Sequence, residues 1–222
     1  MTAAREQLFE TLCDRIAGIA GEGLTTIAID GVDGAGKTMF ADALADRLEA
    51  RDHAVVRAGV DGFHNRRSIR YGRGKDSPEG FFRDSYDYEA LRTALLFPAR
   101  IGQPFHTTVF DWRSNRRSTA NPLTVPLPAI LLFDGIFLNR PELRDEWDLS
   151  IFLDVPFVVS YARMAKRDGS DPDPQAPSNR RYYEGQKLYF RECRPKELAD
   201  VVVDYADVEL PRIARLAVGV LS

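Results

Sequence analysis

The sequence is poor in cysteine and contains no long hydrophobic run. Its 222 residues include two cysteines, Cys13 and Cys193, which are too few for a disulfide scaffold and share no metal-ligand spacing. No apolar stretch approaches the ~18 residues that a membrane-spanning helix needs. The first residues, "MTAAREQLFE", lack the apolar core of a signal peptide. These absences predict a cytoplasmic protein without a membrane partner.

The chain also lacks a strong charge of either sign. Its formal net charge is −3, with 44% hydrophobic and 28% charged residues. A small negative charge argues against a general nucleic-acid binder, which needs a basic surface. The length fits one domain with a real core. We therefore expect a globular protein whose partners are small molecules, and a homo-oligomer remains open.

Short apolar runs alternate with amphipathic segments along the chain. The runs that predict strands are "TTIAID", "HAVVRAGVD", "AILLF", "LSIFLD" and "DVVVDY", and a closing helix is predicted over "LPRIARLAVGVL". Such alternation predicts a doubly wound α/β sheet, which binds ligands at the carboxyl ends of its strands. The polar stretch 62–85 is long for a plain connection, which marks it as a candidate functional loop. The proline-rich segment "GSDPDPQAPSN" is predicted to be mobile.

The stretch "GVDGAGKT" places several glycines between a predicted strand and a predicted helix. It matches G-x-x-x-x-G-K-[ST], the phosphate-binding P-loop, in the strand–helix context that this motif requires. Backbone N–H groups of such a loop point at phosphate oxygens, and the helix N-terminus adds partial positive charge. The predicted ATP-binding residues of this loop are Gly31, Asp33, Gly34, Ala35, Gly36, Lys37, Thr38 and Met39. Lys37 is expected to reach the β- and γ-phosphates and Thr38 to hold Mg²⁺.

Two aspartates follow predicted strands and should lie near the P-loop. Asp61 follows "AVVRAGV" and Asp134 follows "AILLF". Phosphoryl transfer needs one acid near Mg²⁺ and another to accept the proton of the acceptor hydroxyl. Asp134 fits the metal role and Asp61 the base role. The alternative is that each aspartate only caps a turn or a helix.

Two groups of basic residues have candidate roles in the same reaction. Arg163, Lys166 and Arg167 lie on a predicted helix that leads into the proline-rich segment, where a lid could neutralise the transferring phosphate. Lys166 fits a solvated helix face better. The other group lies in the 62–85 stretch, where most members are expected at the surface and one or two facing the acceptor: Arg66, Arg67, Arg70, Arg73 and Lys75.

Several motifs together resemble the uridine kinase-like branch of the P-loop kinases, which also holds pantothenate kinase and phosphoribulokinase. They are "GVDGAGKT", "VDGFH", "VFDWRSNRR", "LLFDGIF", "LDVPFVVSYARMAKRD" and "ELADVVVD", in the order of the family, between about residues 24 and 205. The resemblance implies a five-stranded parallel sheet between helices with a small lid. It also implies ATP-dependent phosphorylation of a hydroxyl, with Mg²⁺.

The resemblance also assigns roles to single residues. Asp61 matches the base, Asp134 stands where the family usually has Glu, and Arg163 matches a lid arginine that contacts phosphates. Phe110 and Asn115 fall where uridine–cytidine kinases place a Tyr and a His against the pyrimidine. The ribose-binding Asp of the family falls on Phe81, for which Arg83, Asp84 or Asp87 are candidate substitutes. His64, His106 and Arg116 are further candidates for the acceptor site.

The resulting hypothesis is a single P-loop kinase domain over residues 1–222. Acceptor-binding regions are expected at about 62–85 and 106–120 and a lid at about 163–182. The predicted acceptor is a nucleoside. The alternatives are a non-nucleoside acceptor such as pantothenate, a sugar, glycerate or a phosphorylated sugar, and a regulatory ATPase or GTPase. Because the chain has no N-K-x-D element for guanine, and because a switch has little use for a base such as Asp61, the kinase hypothesis is favoured.

Overall fold

A computed structural model describes residues 2–217. The strands are β1 (Leu24–Gly31), β2 (Val55–Gly59), β3 (Phe110–Asp111), β4 (Arg116–Arg117), β5 (Ala129–Gly135), β6 (Leu149–Asp154), β7 (Val201–Asp204) and β8 (Arg212–Leu216). The helices are α1 (Ala3–Ile19), α2 (Lys37–Glu49), α3 (Arg67–Arg70), α4 (Pro78–Asp84), α5 (Tyr88–Leu91), α6 (Phe97–Arg100), α7 (Phe157–Asp168), α8 (Arg180–Cys193) and α9 (Pro195–Leu198). A π-helical segment, Arg92–Leu96, joins α5 to α6.

The main sheet has the strand order β2-β5-β1-β6-β7-β8. The five strands predicted from the sequence are all present and run parallel. The sixth strand, β8, is antiparallel to β7. The strands β3 and β4 form a separate small hairpin. The fold is therefore the predicted α/β architecture, with one more strand than expected.

The strand β8 corrects the predicted closing helix. Residues Arg212–Leu216 pair with β7, and alternate residues along this strand are half-buried and exposed. This period of two is the pattern of an edge strand with one solvated face. The apolar residues of "RIARL" fit both a helical period of about 3.6 and a strand period of about 2, and pairing with β7 selects the strand. The rest of the predicted helix, from residue 218, lies outside the described residues.

Side chains of the central strands pack into two apolar clusters, one on each face of the sheet. In β5, Leu131 and Phe133 join one cluster, whereas Ile130 and Leu132 join the other. Because strands covered on both faces need apolar residues at every position, they appear in the sequence as unalternating runs. One cluster contains buried residues of α1 and α2, and the other contains buried residues of α4 and α8.

Residues 62–85 are folded rather than an open loop. They contain the end of a 3₁₀ turn, Val60–Phe63, followed by α3 and α4. Arg181 of α8 donates hydrogen bonds to the carbonyl oxygens of Arg70, Lys75 and Ser77 at 2.9–3.1 Å. These contacts fix the connection between α3 and α4 against α8. The predicted acceptor region therefore has a defined shape.

The proline-rich segment also has internal hydrogen bonds. Asn179 is buried and its side-chain amide donates to the carbonyl oxygens of Asp171 and Asp173, at 2.9 and 2.7 Å. This segment leads from the end of α7 to the start of α8. Among residues 2–217, no helix is both long enough and apolar enough to cross a membrane.

Candidate active site

The P-loop connects the end of β1 to the start of α2 at the centre of the sheet. Gly34 and Gly36 have φ angles of +74° and +94°, which favour glycine. A Cβ on Gly34 would lie 2.5 Å from the Ser160 carbonyl oxygen and 2.7 Å from Met164 Cγ, so the loop packs directly on α7. Gly36 is the N-cap of α2 and provides no side-chain cap. The first N–H groups of α2 are thus left for an anion.

Lys37 folds back over the loop that it follows. Its Nζ donates to the carbonyl oxygens of Gly31 and Val32, at 3.0 and 2.8 Å. These two bonds hold the ammonium group over the glycine-rich turn. The lysine of the motif therefore lies where a phosphate bound in the turn would meet it.

Thr38 and Asp134 form a hydrogen-bonded pair beside the P-loop. The Thr38 hydroxyl donates to Asp134 Oδ2 at 2.7 Å. The register of the sheet explains this, because Asp134 of β5 is level with Ile29 of β1, just before the P-loop. Hydroxyl and carboxylate oxygens are suitable ligands for Mg²⁺. Residues 2–217 contain no group of three or more His, Cys, Asp or Glu side chains that could hold a metal ion, so nucleotide oxygens and water would complete the coordination.

Arg57 holds the other oxygen of Asp134. This arginine of β2 donates to Asp134 Oδ1 at 3.0 Å and pairs with Asp42 of α2 at 2.9 Å. Such a second contact orients a metal-binding carboxylate. Sequence reasoning missed Arg57. The available signal was a basic residue inside the otherwise apolar run "AVVRAGV".

Asp61 lies on the 3₁₀ turn after β2, at the same edge of the sheet. Its side chain is 72% exposed, and the nearest His64 nitrogen, Nδ1, is 3.9 Å from the carboxylate. The same nitrogen is 3.0 Å from the Asp61 carbonyl oxygen. Burial lowers the pKa of His64, although Asp61 acts in the opposite direction. Asp61 thus presents an accessible carboxylate next to a histidine whose neutral form is favoured.

A ring cluster, formed by His64, Tyr86 and Trp112, lies beside Asp61. The ring centroid of His64 is 4.6 Å from that of Tyr86 and 5.8 Å from that of Trp112. Burial raises the pKa of Tyr86, and the carboxylates of Asp61 and Asp33 raise it further. Tyr86 is therefore close enough to both acids to sense their charge. Neither Tyr86 nor Trp112 was predicted as a site residue.

Asp33 places a carboxylate within the P-loop itself. Its backbone N–H donates to Gln186 Oε1 of α8 at 2.7 Å, which connects the loop to that helix. Burial raises the pKa of Asp33, Lys37 lowers it and Asp61 raises it again. The charges of Lys37 and Asp61 thus both act on the Asp33 carboxylate.

The two predicted lid arginines, Arg163 and Arg167, differ in their environment. Arg163 donates to the carbonyl oxygens of Ala35, Tyr205 and Ala206 at 2.9–3.0 Å. These bonds brace the P-loop against the segment after β7, so a phosphate contact by Arg163 would require them to break. Arg167 is exposed and pairs with its neighbour Asp168 at 2.7 Å. Of the two, Arg167 can move toward a nucleotide at the lower cost.

The β3–β4 hairpin carries the predicted acceptor residues Phe110, Asn115 and Arg116. Phe110 is half-buried and Arg116 is exposed. Asn115 has a φ of +58°, and its side-chain oxygen accepts a hydrogen bond from the Arg67 N–H at 2.8 Å. Asn115 therefore connects the hairpin to α3, and its amide NH₂ remains for a ligand.

The residues on and around α4 that were predicted as acceptor contacts are engaged within the protein. Arg83 pairs with Glu79 and Glu192, at 2.7 and 2.8 Å, along the contact between α4 and α8. The candidate substitutes for the ribose-binding Asp also have partners within the protein, because Asp84 pairs with Arg73 and Asp87 caps α5. Phe81, at the position of that Asp, belongs to the core. The acceptor-binding role predicted for Arg83 therefore has no support from its position.

A fully buried acid, Asp30, holds the first residue of the P-loop through a hydrogen bond, and it was not predicted from the sequence. Its carboxylate accepts hydrogen bonds from the Gly31 N–H at 2.7 Å, from the Asn139 side chain at 2.9 Å and from the Tyr189 hydroxyl. Burial raises the pKa of Asp30, and these donors lower it. The network joins β1, the segment after β5 and α8. Its sequence signal was the acid that ends "TTIAID" directly before the glycine-rich loop.

Comparison with known proteins gives a consistent picture. No family model matches the chain. A uridine kinase of Shewanella piezotolerans is 26% identical over 196 residues, which cover 84% of this chain and 86% of the relative. A uridine kinase of Proteus mirabilis is 26% identical over 209 residues, which cover 89% and 92%.

Solved structures share the fold. A possible uridine kinase from Bacillus stearothermophilus superposes with a TM-score of 0.69 at 23% identity and covers 90% of this chain and 98% of that one. A D-glycerate 3-kinase from Cryptococcus neoformans has a TM-score of 0.55 at 13% identity, with 88% and 90% covered.

Together with these relatives, the glycine-rich cradle at the centre of the sheet identifies a P-loop phosphotransferase that acts on a hydroxyl. More narrowly, the chain is similar in sequence and fold to the uridine kinase-like family of P-loop kinases. It is a small-molecule kinase, and kinases of this family use ATP, typically with Mg²⁺. The resemblance predicted from the motifs is thus confirmed.

Proposed function

We propose that this protein transfers the γ-phosphoryl group of Mg·ATP to a hydroxyl of a small metabolite held between Asp61 and the ring cluster. The P-loop N–H groups and Lys37 bind the phosphates. Lys37 exchanges its bonds to the two loop carbonyls for bonds to phosphate oxygens. The pair Thr38–Asp134 holds Mg²⁺, which when bound neutralises developing charge on the phosphates.

Asp61 is proposed as the general base. The observation that supports it best is an accessible carboxylate directly after β2, beside the strand whose Asp134 pairs with Thr38. A carboxylate so placed can orient the acceptor hydroxyl and accept its proton as the new P–O bond forms and the bond from the γ-phosphorus to the bridging oxygen breaks, releasing ADP. Positioning and charge stabilisation supply most of the remaining acceleration in such reactions.

Arg167 is proposed to close over the phosphates by a movement within the predicted lid, residues 163–182, that leaves Arg163 and Arg181 in place. Arg163 keeps the P-loop in shape through its three carbonyl bonds. The lid would then exclude water from the transferring phosphoryl group. In this proposal residues 1–222 act as one kinase domain, with the acceptor regions 62–85 and 106–120 at its cleft.

Two classes of acceptor are consistent with the site. A pyrimidine nucleoside is supported by the relatives that are named uridine kinases, and by the ring cluster, because aromatic faces stack on bases. A non-nucleoside acceptor is supported by the engagement of Asn115, Asp84 and Asp87 within the protein. These are the positions from which nucleoside contacts were expected.

The test is ADP formation by the purified protein with a panel of acceptors, compared with Lys37→Ala as the blank. The panel contains uridine, cytidine, pantothenate, ribulose 5-phosphate, glycerate and simple hexoses. We expect ADP formation to depend on one class of acceptor and to vanish in the Lys37→Ala variant. Equal ADP formation with and without every acceptor would contradict the proposal and favour an ATPase.

A further inference from the structure

Arg70, at the end of α3, is a buried arginine with few partners. Only 7% of the residue is exposed. One guanidinium nitrogen, Nη2, donates to the Trp112 carbonyl oxygen at a long 3.5 Å, and the buried Nε has no hydrogen-bond partner. The guanidinium carbon is 5.5 Å from the centre of the Tyr71 ring. Among residues 2–217, no carboxylate forms an ion pair with Arg70.

The two other buried arginines of the described chain are well satisfied. Arg181 donates to four carbonyl oxygens at 2.9–3.4 Å. Arg140 pairs with Glu142 at 2.6 Å and also donates to the Phe82 carbonyl oxygen. Both arrangements follow the rule that buried charge is paired or hydrogen-bonded. Arg70 departs from this rule, although it is as deeply buried as they are.

The position of Arg70 is at the acceptor side of the site. Its partner Trp112 belongs to the ring cluster, whose His64 also contacts the carbonyl oxygen of Asp61. Burial lowers the pKa of His64 and raises that of Tyr86, and the positive charge of Arg70 acts on both in the lowering direction, which is consistent with a guanidinium near the two rings. The ring cluster therefore lies near both the carboxylate of Asp61 and the guanidinium of Arg70.

We propose that Arg70 binds an anionic group of the acceptor, a carboxylate or a phosphate, that is separate from the hydroxyl facing Asp61. An unpaired buried cation is costly, and an anion removes this cost where a neutral carbonyl would leave the charge uncompensated. The planar guanidinium, with Nε unpartnered, matches the two oxygens of such a group. This inference rests on the proposed kinase function and names the substrate class of the same site.

The first experiment uses acceptors in matched pairs that differ in one anionic group. The pairs are glycerate with glycerol, pantothenate with pantothenol, and ribulose 5-phosphate with ribulose. We expect kcat/KM for the anionic member of the accepted pair to exceed that of the neutral member by about 10- to 100-fold, since a charge-assisted hydrogen bond contributes this much. Equal use of both members, or a preference for uridine, would overturn the role of Arg70 and leave the kinase function intact.

The second experiment measures anion binding directly and does not require turnover. The protein is saturated with Mg²⁺ and a non-hydrolysable ATP analogue, so that the P-loop is filled, and is titrated with inorganic phosphate and with glycerate by calorimetry. Arg70→Gln is expected to weaken binding about 10-fold or more, and Arg70→Lys to retain part of it. Arg73→Gln, which removes an exposed arginine that pairs with Asp84, is the matched control and should bind like the wild type.

Two further outcomes are decisive. If the wild type binds neither probe, or if Arg70→Gln binds as tightly as the wild type, the inference is wrong. If anions bind through Arg70 but no acceptor stimulates ADP formation, the anion site stands and the proposed kinase function fails. Circular dichroism and thermal unfolding of each variant confirm that Arg70→Gln is folded, and the wild-type data do not depend on it.

Discussion

Replacement of Asp61 by Asn should abolish most phosphoryl transfer and leave Mg·ATP binding intact. The side chain is 72% exposed and the carbonyl contact to His64 is made by the backbone, so the substitution removes charge and basicity without disturbing packing. A general base contributes about 10²- to 10⁴-fold. We therefore expect kcat to fall by that factor, which is about 3–5 kcal/mol of activation free energy. Because Asp61 repels the Asp33 carboxylate, its neutralisation should leave nucleotide affinity unchanged or slightly higher.

The assay is single-turnover transfer from γ-labelled ATP, with nucleotide affinity measured separately by calorimetry. Asp52→Asn is the matched control, because Asp52 is exposed and its φ of +64° suits Asn equally well. The control should retain wild-type transfer. Transfer by Asp61→Asn within about threefold of the wild type, far less than a general base contributes, would refute the assignment of Asp61 as the base. A parallel loss of ATP binding would instead assign Asp61 to the nucleotide site.

Three further predictions concern the parts of the fold that hold the site. Arg57→Met should raise the Mg²⁺ concentration for half-maximal activity about 10-fold, since it releases Asp134; an unchanged Mg²⁺ titration would contradict this. Gly34→Ala should destabilise the protein by about 2–5 kcal/mol through clash and strain, and Gly74→Ala, with a φ of +103° and open space, by only about 1–2 kcal/mol in urea unfolding. Burial alone would raise the pKa of Glu146, but hydrogen bonds from Arg92 and Arg100 lower it below the ordinary value. The ionised Glu146 therefore stabilises the folded protein above the pKa of the unfolded state. This stabilisation is lost as the pH falls through the lower pKa of the folded state. Glu146→Gln should therefore cost about 1–3 kcal/mol at pH 7, and the difference from the wild type should shrink below about pH 4; a constant difference would argue against the ion pairs.

The main sheet could be predicted because its strands are covered on both faces. Short continuous apolar runs such as "AILLF" and "LSIFLD" are typical of strands that are buried on both faces. The P-loop indicates that the strand before it is central. The edge strand β8 could not be predicted in the same way. Its alternating pattern is short, and only the neighbouring β7 decides between a strand and a helix.

The conformation of the P-loop could also be predicted, because it depends on residues that are adjacent in sequence. Gly34, Gly36, Lys37 and Thr38 follow one another in sequence and need only a strand before them and a helix after. The acceptor side was much less predictable. Arg83 of α4 pairs with Glu192 of α8, and Asn115 accepts a hydrogen bond from the backbone of Arg67. Both contacts join residues that are distant in sequence.

The burial of Arg70 could not be predicted from the sequence either. In the sequence it is one of several basic residues between 66 and 75, most of which are exposed. Its burial depends on how α3 packs beneath the hairpin that carries Trp112. Sequence reasoning expected one or two of these residues to face the acceptor, but could not say which.

We expect the phosphoryl group to be transferred to an organic hydroxyl rather than to water. The most direct measurement follows the label of γ-labelled ATP and asks, by chromatography and mass spectrometry, which product carries it. We predict that in the presence of the accepted metabolite the label appears as a phosphate ester, and that Lys37→Ala forms none. Label found only in inorganic phosphate, with every acceptor present, would contradict the account.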